Sequence, residues 1–286
     1  MEPFSVIIPA YNEEKAVRKT VSGLKTYLET NFFDKYEIIV VNDGSTDATA
    51  KELEGMDGIK VITHPKNKGY GASIKEGVEN SKYEWIIWFD GDGQHQNEYI
   101  PSLLEKRKTA DMVLGERKGY KGPLIRQPGK KILKWTAEFL TGQKIPDINS
   151  GFRIFRKEHF NRFKHLLPDG FSTSTTLTMC FLTEGLFVAY VPIEIKKREG
   201  KSTVSMKHGT QTFLLILRMI MLFNPLKIFL PPSVLTLVFG IIFGVDGIIR
   251  YGSFPTSAVV IIIAGMLLFF NGLLADQIAV LRRERK

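Results

Sequence analysis

The sequence predicts an α/β domain, a parallel sheet covered by helices on both faces, followed by a C-terminal transmembrane hairpin. Three observations lead there. Strand-like and helix-like runs alternate through the first half of the chain, the pattern of a parallel sheet with helical crossovers. The polar residues that interrupt the strands fall at their carboxyl ends, where open α/β sheets bind ligands. Beyond about Gly209 the composition shifts to Leu, Ile, Phe and Val.

The elements follow in order. "FSVIIPA" (4–10) is the first strand, and Asn12 can cap a helix whose apolar positions Val17, Val21, Leu24 and Leu28 recur at helical spacing. "YEIIVV" (36–41) is the second strand, and Ser45, Thr46 or Asp47 can cap the helix after it. "IKVITH" is a third strand, "YGASIKEGVENS" a short helix, "WIIWFD" a fourth strand and "ADMVLG" a fifth. The glycines of "GYGASIKEG" do not make a dinucleotide loop, because their spacing is wrong and they do not follow the first strand.

The stretch "WIIWFDGDGQHQ" (85–96) ends an apolar strand on Asp90-Gly91-Asp92-Gly93. Two carboxylates this close repel unless a positive charge sits between them, so the segment is either a polar turn or a seat for a metal ion. A single aspartate at a strand end is more often a turn residue. Pro9, Tyr11 and Glu13 after the first strand, Asp43 after the second, and Asp90 and Asp92 after the fourth share one rim, which favours a site.

In the C-terminal part, "LPPSVLTLVFGIIFGV" carries no charge until Asp246, and "FPTSAVVIIIAGMLLFFNGLLA" none until Asp276. Each approaches the ~20 apolar residues that cross a hydrocarbon core of ~30 Å. The expected division is a domain over 1–208, an interfacial helix over 209–225, and a hairpin over 226–286 with spans near 229–249 and 255–277. The segment 209–225 reads equally as a core helix of the first domain. Lys196, Lys197, Arg198, Lys201, Lys207, Arg218 and Lys227 precede the first span, "RRERK" follows the second, and the connecting loop holds only Arg250. The positive-inside rule then puts both termini and the N-terminal domain in the cytoplasm. "MEPFSVIIPAYNEE" lacks the basic start and apolar core of a signal peptide. The single Cys180 allows no intramolecular disulfide and agrees with a reducing compartment. The net charge of +9 clusters near the spans, which suits membrane lipid rather than nucleic acid. Gly240, Gly244 and Gly265 offer a route to a homo-oligomer. Asp246 and Asp276 are a thin basis for a pore.

Taken together, "VIIPAYNEE" (6–14), "VVNDGSTDAT" (40–49), "KNKGYGASIKEG" (66–77), "FDGDGQH" (89–95), "DINSGFR" (147–153) and "REGKS" (198–202) resemble the family-2 glycosyltransferases of the GT-A fold. The resemblance is nearest the branch that makes polyprenyl-phosphate or dolichyl-phosphate sugars, such as dolichyl-phosphate mannose synthases. It implies a Mg²⁺ or Mn²⁺ ion held by Asp90, Asp92 and Gln94 on the diphosphate of a GDP- or UDP-linked sugar. It implies that Pro9, Tyr11, Glu13 and Asp43, with Asp90, bind the nucleotide. Arg117, Arg126 and Arg198 match basic positions of that branch and, with Asp92, are the expected catalytic groups. Lys201 and Ser202 would assist with the acceptor phosphate, and Asp147 and Ser150 would face the sugar or shape their loop. His95 is given no part in the chemistry.

The acceptor is inferred from what is missing. Relatives that glycosylate hydroxyl groups place a carboxylate, often Glu-Asp, at the start of the helix near residue 170. Here the stretch reads "PDGFSTSTTLTMCF", with Asp169 the one exception. An alcohol needs a base to take its proton, whereas a phosphate monoester, with a second pKa near ~6, is largely a dianion already. The Gln-x-x-Arg-Trp motif of processive synthases is absent, so one sugar per cycle is expected. The rivals are transfer to a lipid hydroxyl such as that of diacylglycerol, and a non-catalytic membrane scaffold. Mannose is favoured slightly over glucose.

Overall fold

In the computed structural model, residues 2–33, 35–119, 127–196 and 208–284 are described. Among them, seven strands form one sheet: β1 (Phe4–Ala10), β2 (Tyr36–Asn42), β3 (Lys60–Thr63), β4 (Trp85–Trp88), β5 (Met112–Arg117), β6 (Arg153–Arg156) and β7 (Val188–Ile193). Their order is β3-β2-β1-β4-β6-β5-β7. The first four are parallel, as expected, with Ile7 opposite Ile39 on one side and Trp88 on the other. The expectation of an all-parallel sheet is corrected at β6, which runs antiparallel to both β4 and β5. The chain reaches the carboxyl rim before it enters β6, so β6 starts where its neighbours end. Arg153, its first residue, lies opposite Trp88, the last residue of β4.

Side chains alternate across each strand, and this builds two cores. Val6 and Ile8 point into one, with Val17, Val21, Leu24 and Leu28 of α1 (Val17–Phe32), Leu53 of α2 (Thr49–Leu53), and Leu103 and Leu104 of α4 (Ile100–Lys106). Ile7 points into the other, beside Ile74 and Val78 of α3 (Tyr70–Glu79), Leu133, Ala137 and Leu140 of α5 (Gln127–Thr141), Phe160 of α6 (Lys157–Phe163), and Leu177 and Phe181 of α7 (Thr173–Thr183). Asn12 does not cap α1. It sits at φ 55° and its side-chain oxygen accepts from the Thr46 amide at 2.9 Å, tying the β1 and β2 rim loops together. Asp47 acts at the start of α2, where its Oδ1 accepts from the Thr49 amide at 2.9 Å.

Helix α8 (His208–Phe223) packs one face on the core and leaves an apolar face exposed. Met219, Leu222 and Phe223 join the core beside α5 and α7, while Phe213, Leu214, Leu217 and Met221 are exposed. Helix α5 likewise turns Ile132, Trp135 and Phe139 outward. Lys227 donates to the Phe139 carbonyl and lies 4.7 Å from its ring.

Helices α9 (Pro225–Tyr251) and α10 (Thr256–Glu284) form the hairpin, and both are long and apolar enough to cross a membrane. Gly240 abuts Ile261 and Ile262, Gly265 abuts Leu237, and Gly244 abuts the Phe254 ring. The glycines read as a self-association face thus serve contacts within one chain, because two apolar helices approach closely only where side chains are small. At the far end of α10 the His165 ring donates to the Arg282 carbonyl at 2.8 Å, bringing the hairpin back to the α/β domain.

Candidate active site

Strand β4 and the following Phe89 are buried, and the chain meets the rim at Asp90. Asp90 is gripped from behind: its Oδ1 accepts from the Tyr70 hydroxyl at 2.5 Å, and its Oδ2 from His95 Nε2 at 3.1 Å. Burial raises the Asp90 pKa, but the His95 and Tyr70 hydrogen bonds and the Arg117 charge outweigh it and hold the carboxyl below its usual range. Asp90 is therefore an anion with fixed oxygens. Gly151 makes room for it, since a Cβ there would lie 2.2 Å from Asp90 Oδ2.

Asp92 is 8% exposed, and its Oδ1 accepts from the Gln94 amide at 3.1 Å across a turn that needs Gly93 at φ +75°. Gln94 is knitted to the chain leaving β7. Its Nε2 donates to the Lys196 carbonyl at 3.3 Å, and the Lys196 amide donates to the Gln94 carbonyl at 2.9 Å. Its side-chain oxygen is the atom that could serve a cation. The donor set of two carboxylates and an amide is all oxygen, which fits a hard divalent ion. Among the described residues, no group of three or more His, Cys, Asp or Glu makes a ready-built metal site. An ion here would need further oxygens, such as those of a diphosphate.

The nucleotide side of the rim is built by β1 and β2. Pro9 and Glu13 are buried and Tyr11 is half-buried. The Glu13 amide donates to Thr49 Oγ1 at 2.8 Å, and its carbonyl receives the Val17 amide that starts α1. Asp43, at the end of β2, is held by the loop that follows β3. It is 2% exposed and accepts from His64 Nδ1 at 2.6 Å, the Lys68 amide at 2.8 Å and the Gly69 amide at 2.9 Å. These bonds fasten the 64–69 loop, which leads into α3, and among the described residues leave Oδ2 with one bond only.

Across the rim, Arg117 ends β5. Its Nε donates to Asp147 Oδ2 at 2.7 Å, and its Nη2 to Asp147 Oδ1 at 2.9 Å and to Asn149 Oδ1 at 2.8 Å. Burial raises the Asp147 pKa, but these Arg117 contacts outweigh it and keep the carboxyl below its usual range. Asp147 thus shapes the loop by holding Arg117. Ser150 is fully buried, 3.5 Å from the Phe152 carbonyl, and of its two expected roles the contacts are those of shaping the loop. Asp169, the one base candidate, pairs with Lys75 at 2.9 Å. Arg126, Arg198, Lys201 and Ser202 lie outside the described residues.

Sequence reasoning gave no role to Tyr70, Gly151 or Arg153, and gave His95 none in the chemistry. Arg153 is wholly buried: it donates to the Ser150 carbonyl at 2.9 Å and to the Ser174 carbonyl and Thr178 Oγ1 at 3.0 Å each, with its guanidinium 5.1 Å from the Trp88 ring. Burial pulls its pKa down to about 10, so it remains a cation at neutral pH. The only sequence signal was its place in "DINSGFR".

The family 2 glycosyl transferase model matches residues 5–163, and that of the GtrB C-terminal hairpin matches 224–281. The chain is 28% identical to an undecaprenyl-phosphate mannosyltransferase from Micrococcus luteus, over 70% of this chain and 86% of that protein. It is 34% identical to a dolichol-phosphate mannosyltransferase from Pyrococcus furiosus, over 54% of this chain but only 46% of that protein. Its fold is similar to that of Mycobacterium tuberculosis glucosyl-3-phosphoglycerate synthase in complex with Mn²⁺, uridine diphosphate and phosphoglyceric acid. The TM-score is 0.61 at 19% identity, covering 77% of this chain and 78% of that one. With the motifs at the rim of this sheet and the hairpin behind it, the chain belongs to glycosyl transferase family 2 and is a glycosyltransferase of the GT-A fold.

Proposed function

We propose that the enzyme moves one hexose, with inversion, from a nucleotide-sugar to the phosphate of a polyprenyl or dolichyl phosphate, using Mg²⁺ or Mn²⁺. The observation that carries this reading is the ionised Asp90 beside Asp92 at the end of β4, with the Arg117 guanidinium near enough to lower the Asp90 pKa. Carboxylates suit a cation on the leaving diphosphate, and guanidinium forks suit an acceptor phosphate. Asp90, Asp92 and the Gln94 amide oxygen would hold the ion, which neutralises the departing diphosphate when bound. Pro9, Tyr11 and Glu13 line the rim where the nucleoside would lie. Arg117, with Arg126, Arg198, Lys201 and Ser202, would hold the acceptor.

The absence of a base is consistent with an acceptor that is already an anion. Between residues 168 and 181 the only carboxylate is Asp169, and Lys75 neutralises it. The exposed apolar faces of α5 and α8 adjoin the hairpin and would rest in the membrane interface, with the domain on the cytoplasmic side. Mannose is favoured slightly over glucose, in keeping with the two mannosyltransferases named above, and GDP-mannose is the donor to try first.

The test uses purified protein in detergent, Mn²⁺, a short polyprenyl phosphate and a panel of radiolabelled nucleotide-sugars. Label should pass into the organic phase from one donor and not at all with Asp92→Ala. Metal-dependent nucleotide binding without transfer to any prenyl phosphate would overturn the acceptor assignment and make lipid hydroxyls the next substrates to try.

A further inference from the structure

The glycine-rich "GYGASIKEG" stretch has no dinucleotide to bind, yet it is one of the most constrained places in the fold. Gly69 stands at φ +107°, and a Cβ on it would lie 2.4 Å from the Asp169 carbonyl oxygen. A Cβ on Gly71 would lie 2.2 Å from the Pro168 carbonyl oxygen. The bare backbone lets the 167–173 segment press onto the start of α3. There the Gly71 amide donates to the Asp169 carbonyl at 2.6 Å, and Lys75 donates to the Leu167 carbonyl at 2.6 Å. This contact lays the Phe171 ring on Tyr70, stacked at 5.2 Å and 23°. Trp88 packs against Tyr70 as well, at 5.4 Å. Phe171 is held there although it remains 54% exposed.

The hydrogen bonds of Tyr70 have only one direction. An indole N–H can only donate, and Trp88 Nε1 lies 2.9 Å from the Tyr70 oxygen. The single hydroxyl proton is therefore sent to Asp90 Oδ1 at 2.5 Å, an ionised carboxylate that can only accept. The relay Trp88 to Tyr70 to Asp90 fixes one oxygen of Asp90 from a rigid strand and a clamped ring.

We propose that Tyr70 is a positioning residue, which aims Asp90 at its cation and is itself braced by Phe171 of the 167–173 segment. The proposal rests on the reading of Asp90 as a metal ligand. Groups that orient metal ligands typically change metal affinity by about 10- to 100-fold when removed.

The test titrates Mn²⁺ into full-length protein in detergent with GDP, and in parallel with UDP, and follows the paramagnetic resonance signal of free Mn²⁺. Tyr70→Phe keeps the ring and removes only the relay. It should weaken Mn²⁺ binding about tenfold or more, with a modest fall in melting temperature because the buried Trp88 N–H loses its acceptor. Phe171→Leu leaves every bond to Asp90 in place and should weaken binding less. Wild-type affinity in Tyr70→Phe, with binding lost in Asp90→Asn, would overturn the positioning role while leaving the metal seat intact. Equal losses in Tyr70→Phe and Phe171→Leu would assign the effect to packing and overturn it too. Undiminished Mn²⁺ binding in Asp90→Asn would overturn the metal seat itself.

Discussion

Gly151→Ala is a one-carbon probe of the site. The backbone at Gly151 is not left-handed, so alanine is conformationally acceptable and the effect is steric. The added Cβ would lie 2.2 Å from Asp90 Oδ2 and 2.8 Å from its Cγ. Restoring an ordinary separation of about 3.5 Å needs roughly 1 Å of movement. If Asp90 swings away, it loses the bond from Tyr70 or that from His95. If the turn shifts instead, Arg153 loses the Ser150 carbonyl. A hydrogen bond to a charged group contributes roughly 1.5–3 kcal/mol, so transfer rate and Mn²⁺ affinity should fall about 10- to 100-fold. Steady-state transfer and Mn²⁺ titration read this directly. Gly170→Ala is the control, because no atom lies within 4 Å of its would-be Cβ. Gly151→Ala with wild-type rate and affinity would show that Asp90 does not depend on this cradle.

Three further outcomes are expected. The Asp147 carboxyl is depressed by Arg117, so the stability it contributes is present above its unfolded pKa near about 3.9 and lost as pH falls through the lower folded value. Asp147→Asn should therefore be less stable at neutral pH and flatten the acid limb of the stability curve, as followed by denaturation at stepped pH. Gly23 is exposed within α1 with nothing within 4 Å, and Gly23→Ala should stabilise the fold by about 0.5–1 kcal/mol, read as a higher melting temperature. A Cβ at Gly244 would meet the Phe254 ring at 2.2 Å. Gly244→Ile should destabilise the hairpin by about 1–3 kcal/mol in detergent melts and leave Mn²⁺-dependent nucleotide binding unchanged.

Strands β1 to β5 were legible because each is a local apolar run ended by turn chemistry, and a rim of aspartates at their ends is a local signal as well. "RIFR" was not legible. Two arginines around two apolar residues look like surface, and Arg153 is buried only because Ser174 and Thr178, 21 and 25 residues away, supply its acceptors. Asp90 was read from its own neighbourhood, but Tyr70, 20 residues earlier, meets it only through tertiary packing. His95 was in view and given no role, because nothing in "DGDGQH" says that the ring turns back onto Asp90. Asp43 was read from its strand end, but its bonds to His64, Lys68 and Gly69, 21 to 26 residues later, come only from tertiary packing. The hairpin glycines were noticed as contact residues, but sequence alone does not distinguish a neighbouring helix from a neighbouring molecule.

Helix α10 has 29 residues, about 43 Å at 1.5 Å per residue. A hydrocarbon core of about 30 Å accommodates some two-thirds of that length. The remaining turns would stand clear of it toward the end where His165 donates to the Arg282 carbonyl. In a spanning hairpin the helix would be a ruler as well as an anchor: its surplus length would set where the α/β domain meets the lipid surface. Adding or deleting one turn would displace the His165–Arg282 contact by about 5 Å while the Lys227 to Phe139 tie at the start of α9 stayed where it is, so the two attachments could no longer be satisfied together.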